Sequence, residues 1–424
     1  MPGRREFVKT FTKGIGGALL VPVNTQWPVS TSMSQPKSMD NEAYWRFVRT
    51  CFPLKNDFVF LNNGTMGPSP YQVIEEEARV NMDINASAQY GGKKEEALTD
   101  MARFVKVKKE NIAFTHNVTE GINIGVWSLN LNKGDEVIIS THEHVGNAVP
   151  WLNRAKLDGI VLKPIPILPT AEAMLDAVKK AITKNTRVIA LPHITCTTGQ
   201  VLPIKEICSL ARMNNIFTIV DGAHGPGMLP LDLHDMGCDM YASCCHKWML
   251  GPKGTGFVYI RDEYIEKAIP KFIGAYGDTG WDMLSNPPKI NGYVATAHRF
   301  FYGTQSASQY AGISAAIKFH EQIGIDKIER RIQELSGYLQ QQLLAFGNDK
   351  IEMLSPVETA SRGGSISFKL KKMDYSAVQK KCAQENIIVR GVPENGINCL
   401  RVSTHIYNNF QELDKLLALL KSLA

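Results

Sequence analysis

Between Asn111 and Gly256 the chain alternates two textures. Short apolar runs at Ile112–Thr115, Glu136–Ser140, Ile160–Ile167, Arg187–Pro192, Ile216–Asp221 and Gly256–Ile260 read as strands. Between them, apolar residues recur at three- and four-residue steps over Glu120–Leu129, Ala171–Ile182 and Ile204–Met213, which predicts helices. Such alternation predicts an α/β fold: a mainly parallel sheet covered on both faces by helices, with ligands at the carboxyl ends of the strands. Upstream, the aromatic-rich Ala43–Phe52 reads as a helix, Phe58–Leu61 as a short strand, and Asn62-Asn63-Gly64-Thr65-Met66-Gly67-Pro68 as a sharp turn.

After Tyr310 the pattern changes. A long helical stretch, Ala311–Phe346, carries a break at Gly324-Ile325-Asp326. A strand (Ser365–Leu370), a helix (Tyr375–Glu385), two strands (Ile387–Arg390 and Cys399–Ser403) and a terminal helix (Asn409–Leu423) follow. This predicts a smaller C-terminal α+β domain over 311–424, after a large domain over 40–310 and a leader with linker over 1–39.

Composition narrows the class. With 424 residues, 44% hydrophobic and 21% charged, the chain can bury a large core. The net charge of +6 is scattered, and the densest basic runs, Lys106–Lys109 and Lys369–Lys372, have no interleaved aromatics. They read as solvated faces, so no nucleic-acid partner is expected. The eight cysteines show no C-x-x-C spacing. Core packing is the reading for Cys196, Cys208, Cys238 and Cys382, and no structural metal is expected.

At the N-terminus, Arg4-Arg5-Glu6-Phe7-Val8-Lys9 resembles a twin-arginine motif, and the short, glycine-rich Phe11–Val23 is too weakly apolar for a stable membrane span. Export by a route that carries folded proteins, to a periplasmic or similar location, is the expectation. No Ala-x-Ala cleavage site follows.

The chemistry gathers at Ile219–Gly256. Ile219-Val220-Asp221-Gly222-Ala223-His224-Gly225 runs from an apolar strand into a glycine-rich turn, and Ser243-Cys244-Cys245-His246-Lys247-Trp248 precedes Gly251-Pro252-Lys253-Gly254-Thr255-Gly256. A carboxylate leaving a buried strand, followed by a lysine between a histidine and a glycine-rich turn, suits pyridoxal 5'-phosphate (PLP) chemistry. In that chemistry Lys247 would form the Schiff base, and Asp221 would keep the pyridinium protonated. In this order and spacing the motifs resemble the class V aminotransferases, fold-type I PLP enzymes that include cysteine desulfurases and isopenicillin N epimerase. The resemblance runs from about Phe60 to the C-terminus.

That resemblance implies further roles. Thr119, in His116-Asn117-Val118-Thr119-Glu120-Gly121, would bind the cofactor phosphate at a helix start, with Glu120 contributing mainly backbone; singly, such a threonine is a common N-cap. In Glu143-His144-Val145-Gly146-Asn147-Ala148-Val149-Pro150-Trp151, His144 would stack over the pyridine ring and stand near the substrate α-carbon. Ala223 would let the ring pack on the backbone. Cys196 stands where relatives present an asparagine to the phenolic oxygen, and His224 could supply the missing hydrogen bond. Cys244 replaces a phosphate-binding serine, leaving His246 as a phosphate contact. Thr304, in Phe300-Phe301-Tyr302-Gly303-Thr304-Gln305, would reach the phosphate of a neighbouring subunit, implying a homodimer with shared active sites. Arg401, in Cys399-Leu400-Arg401-Val402-Ser403, would bind the α-carboxylate of an amino-acid substrate, and Asn62 would line the substrate entrance.

Three functions follow: a PLP enzyme acting on an α-amino acid by epimerisation, elimination or transamination; a cysteine desulfurase; or a non-catalytic binding protein that kept the fold. A desulfurase brings a thiolate from a flexible loop ahead of the carboxylate-binding arginine. Here that loop, Gly391-Val392-Pro393-Glu394-Asn395-Gly396-Ile397-Asn398, has no cysteine. Cys399 would share a strand face with Arg401 but lack the reach. The epimerase-like branch is therefore the expectation, with Lys247 removing the α-proton and His144 a candidate for the second acid–base group.

Overall fold

The computed structural model describes residues 41–424, so the Arg4-Arg5 motif and its apolar segment lie outside the described residues. In chain order the strands of the main sheet are β1 (Ile112–Thr115), β2 (Glu136–Ser140), β3 (Val161–Ile165), β4 (Thr186–Pro192), β5 (Phe217–Asp221), β6 (Met240–Cys244) and β7 (Gly256–Ile260). Across the sheet they run β1-β7-β6-β5-β4-β2-β3. From β6 to β3 every neighbour is parallel. Only β7 runs against its neighbours, β6 and β1. The sheet is thus mainly parallel, as the alternation of textures predicts. β6 was not among the apolar runs read above: Met-Tyr-Ala-Ser-Cys is mixed in polarity, yet all five residues are buried because the strand is central.

This order fixes where chemistry can occur. Asp221 ends β5 beside Pro192 at the end of β4 and Ala242 of β6. Because β7 is antiparallel, its first residue, Gly256, stands opposite both Cys244, the last of β6, and Thr115, the last of β1. The segments leaving β1, β2, β4, β5 and β6 therefore converge on one edge of the sheet. Helix Val118–Ser128 starts there and lies directly on β6: a Cβ on Gly121 would come within 2.8 Å of Ala242 Cβ.

A second sheet is antiparallel throughout, built from β8 (Ile351–Met353), β9 (Ser365–Leu370), β10 (Arg390–Val392) and β11 (Cys399–Ser403) in the order β8-β9-β11-β10. Its core is filled by Leu335, Leu339 and Leu343 from helix Ile325–Leu344 and by Leu413, Leu416 and Leu420 from helix Phe410–Leu423. The long helical stretch divides at Gly324, whose φ of +93° ends helix Ala307–Ile323. The expected single strand Ile387–Arg390 is instead split. Ile387–Ile388 pairs in parallel with Val59–Phe60, whereas Arg390–Val392 joins β11. The N-terminal strand is thereby tied to the C-terminal part of the chain, and Asn62 bridges to Ser403. Helices Tyr71–Ser87 and Lys94–Val105 occupy a stretch from which no element was read. Among the described residues no helix is long and apolar enough to cross a membrane, and no cluster of His, Cys, Asp or Glu is arranged to hold a metal ion.

Candidate active site around Lys247

Lys247 follows β6 by three residues and is buried. Its Nζ lies 3.4 Å from His224 Nε2. His224 sits in the turn after β5, where Asp221 Oδ1 accepts the Ala223 N–H at 2.9 Å. Burial pushes the Asp221 carboxyl up, while the Ala223 N–H and the Lys247 charge pull it down. Strand pairing alone brings Asp221, Ala223, His224 and Lys247 together, because β5 and β6 are neighbours.

His144 caps helix Val145–Asp158, its Nδ1 accepting the Gly146 N–H at 3.0 Å. Burial, Lys247 and Arg390 lower its pKa to about 4, so the ring is neutral at pH 7. Thr119 stands close to the same helix start: a Cβ on Gly146 would lie 2.4 Å from Thr119 Oγ1. The N-cap of helix Val118–Ser128 is Asn117 rather than Thr119, which leaves the Thr119 hydroxyl free of capping duty. Glu120 is otherwise engaged. Its N–H is held by Asn117 Oδ1 at 3.0 Å, and its carboxylate accepts from the His116 N–H and from Tyr302 Oη. His246 Nδ1 faces Thr255 O at 3.3 Å.

The turn Asn62–Pro68 closes one side. Gly67 N–H donates to His246 O at 2.8 Å, and a Cβ on Gly67 would fall 2.2 Å from Lys247 O, so only glycine lets the turn approach the lysine. Lys253 Nζ donates to Gly67 O at 2.6 Å and clamps the turn from below. Thr65 Oγ1 donates to Asn62 Oδ1 at 2.8 Å and accepts from Arg401 Nη2 at 3.1 Å. Arg401 Nη1 donates to Cys196 O at 2.6 Å. Cys196 thus serves through its carbonyl, and burial pushes its thiol up to about 11. Cys244 Sγ lies 3.7 Å from Ala223 O, its thiol likewise raised to about 11.

Thr304 is placed elsewhere. It lines a cavity of about 230 Å³ with Tyr90, Lys94, Tyr276 and Phe301. Three contributors were not singled out from the sequence. Thr65 links Asn62 to Arg401. Arg390 stands opposite Arg401 across the β10–β11 pair. Trp248 donates from Nε1 to His224 Nδ1 at 3.1 Å. Only Trp248 carried a local signal, its adjacency to Lys247.

The charges test whether PLP fits. Lys247, Asp221 and Arg401 are buried, and among the described residues none has an ion-pair partner; Arg401 Nε has no hydrogen-bond partner at all. Buried ionisable groups without a close ion partner are costly. A ligand with an aldehyde for the amine, a ring nitrogen for the carboxylate and a substrate carboxylate for the guanidinium compensates all three. The residues fit the group.

Fold and site together define a fold-type I enzyme of the kind that carries its cofactor on a buried lysine. The Aminotransferase class-V profile matches residues 71–416, and the chain belongs to that family. Among curated relatives, a "probable cysteine desulfurase" of Halalkalibacterium halodurans is 28% identical, covering 84% of this chain and 91% of its own. Isopenicillin N epimerase of Streptomyces clavuligerus is also 28% identical, covering 88% and 97%. The cystine C-S lyase C-DES, solved as a variant with glycine covalently linked to its PLP cofactor, superposes with a TM-score of 0.80 at 26% identity, covering 88% of this chain and 98% of that one.

Proposed function

We propose that this chain is a PLP-dependent enzyme that removes the α-proton of an α-amino acid and belongs to the epimerase-like branch of its family. The carrying observation is the trio of buried ionisable side chains Lys247, Asp221 and Arg401, none of them in an ion pair among the described residues. When bound, PLP supplies an electron sink for charge developing at the substrate α-carbon. Asp221 would hold its ring nitrogen protonated, Ala223 would pack against the ring, and Thr119 and His246 would face the phosphate, the Glu120 N–H being already held by Asn117 Oδ1. Arg401, with Thr65 fixing one arm, orients the substrate carboxylate beside Asn62. Lys247 Nζ takes the α-proton. His144 would stand over the ring and is the candidate for returning a proton. Its Nδ1 is held by the Gly146 N–H, so Nε2 carries the mobile hydrogen.

The cysteines support this branch over a thiolate relay. Cys399 is fully buried, and burial pushes its thiol up to about 11. The 3-10 turn Glu394–Gly396 in the loop ahead of it is pinned by Asn395 Nδ2 donating to Thr141 O at 2.5 Å. The names of the relatives favour a second reading, cleavage of a C–S bond in a cysteine-like substrate, since desulfurase names recur among them. Thr304, on an outward cavity rather than at Lys247, supports a homodimer in which it serves the partner's site. Export through a twin-arginine route completes the proposal. It is tested by cell fractionation with Arg4→Lys and Arg5→Lys.

The deciding experiment offers the PLP-loaded protein a panel of α-amino acids, including L-cysteine and L-cystine, in deuterated solvent. Deuterium at the α-carbon with racemised product supports the first reading. Two outcomes support the second: alanine with persulfide sulfur from L-cysteine, or pyruvate and ammonia with sulfide from L-cysteine or with cysteine persulfide from L-cystine. Exchange on no amino acid, or its survival in Lys247→Ala, overturns both.

A further inference from the structure

We infer that Trp248 sets the tautomer of His224, making its Nε2 a fixed hydrogen-bond donor for the phenolic oxygen of the cofactor. The tautomer follows from the protein alone. Its use toward the cofactor rests on the function proposed above.

An indole N–H can only donate. Trp248 Nε1 lies 3.1 Å from His224 Nδ1, so Nδ1 must present its lone pair, and the single proton of the neutral ring is on Nε2. That nitrogen is the one 3.4 Å from Lys247 Nζ. A second proton is opposed on every side: His224 is buried, and Lys247, Arg401, His144 and Arg390 all lower its pKa.

Trp248 itself is held in one pose. Its ring is fully buried and stacks on His405 at 5.6 Å between centroids. Its carbonyl lies 3.0 Å from His405 Nε2 and 3.1 Å from His320 Nε2. His405 Nδ1 accepts the Ile406 N–H at 2.8 Å, so the His405 proton is also on Nε2 and points at Trp248 O. Each link therefore has one sense: Ile406 N–H to His405, His405 to the Trp248 carbonyl, and the Trp248 indole to His224. The string starts in the segment after β11 and ends at His224, whose Nε2 lies 3.4 Å from the Lys247 amine. It also replaces what Cys196 lacks, since a thiol raised to about 11 is a poor donor and its carbonyl belongs to Arg401. With Nδ1 committed and Nε2 protonated, His224 cannot act as a base, which leaves proton removal to Lys247. Trp248 is a positioning residue.

The test reads the tautomer directly. Full-length protein labelled with ¹⁵N-histidine is examined by NMR with and without PLP, the His224 signals being assigned by their loss in His224→Gln. Nδ1 should fall in the unprotonated range and Nε2 in the protonated range. Trp248→Phe, which keeps an aromatic ring but no donor, should convert this to a tautomer mixture. In the PLP-loaded protein the same variant should raise the pH midpoint of the cofactor's visible absorbance by on the order of one unit, the scale of a hydrogen bond lost to a charged oxygen. A glutamine amide donates without help from Trp248, so Trp248→Phe should not shift the midpoint in a His224→Gln background. A wild-type protein with the proton on Nδ1 overturns the inference, and that measurement needs no variant to fold. If Nε2 is protonated but the midpoint does not move, the tautomer stands and its role toward the cofactor fails.

Discussion

Arg401 and Thr65 meet at 3.1 Å across 336 positions of sequence, the hydroxyl of the entrance turn fixing one arm of a fully buried guanidinium. The other arm is fixed by Cys196 O. Lysine cannot reproduce this two-armed geometry. Arg401→Lys should lower kcat/KM for an amino-acid substrate by about 100-fold, mainly through KM, because the carboxylate contact is shared by ground and transition states. Thr65→Val should give a smaller loss of the same kind. Steady-state kinetics on the best substrate of the panel measures both.

Gly67 controls how closely the entrance turn approaches Lys247. An alanine there would place its Cβ 2.2 Å from Lys247 O and 2.8 Å from Asn63 Oδ1, and backbone cannot yield as a side-chain tip does. Gly67→Ala should cost about 1–3 kcal/mol of stability, as overpacking does, and weaken PLP retention. Urea denaturation and cofactor titration read the two effects.

Glu143, adjacent to His144, is buried and its pKa is raised to about 7, chiefly by burial. The folded state therefore holds this proton more tightly than the unfolded chain. Its contribution to stability is present below the unfolded value of about 4.5 and is lost as pH rises toward about 7, a slope of opposite sign to that of His144, whose pKa is lowered to about 4. Glu143→Gln should flatten the decline between about pH 4.5 and 7. Asn147 donates from Nδ2 to Glu143 Oε2, so the new amide is accommodated when the Asn147 amide turns over and presents its Oδ1, which has no partner in the native chain. Denaturation midpoints of both proteins across that range measure the difference.

Cys399 lies on β11, two positions from Arg401, with a fully buried thiol. Cys399→Ser should leave turnover within about twofold, and no persulfide should form on the protein after incubation with L-cysteine, since a buried neutral thiol is a poor nucleophile. Mass spectrometry of the intact protein checks this. A persulfide abolished by Cys399→Ser would establish the desulfurase reading.

Thr304 faces a cavity with Tyr90, Lys94 and Tyr276 rather than Lys247. Mixing inactive Lys247→Ala with Thr304→Ala should restore activity through hybrid dimers, because one of the two sites then has both residues intact. Absence of complementation, with a monomer that binds PLP fully, would refute the shared site.

The sequence by itself determined the local parts. Strand and helix alternation from Ile112 to Ile260 is written in the apolar period, and the turns that carry Asp221 and Lys247 are written in glycine and small residues beside them. The family resemblance added the expected roles of Thr119, His144 and Arg401. The entry of Val59–Phe60 into a pair with Ile387–Ile388, and with it the placing of Asn62 and Thr65 against Arg401, is a contact between distant segments that no period encodes. Helices Tyr71–Ser87 and Lys94–Val105 were passed over because each buries only part of its surface and neither carries a side-chain N-cap. Asn117, not Thr119, took the cap of the next helix. Tertiary structure alone also decided protonation. Desolvation of Glu143 and the sense of the Trp248–His224 bond depend on which neighbours exclude water and which donor faces the ring. Those are properties of packing, set only after the chain has closed.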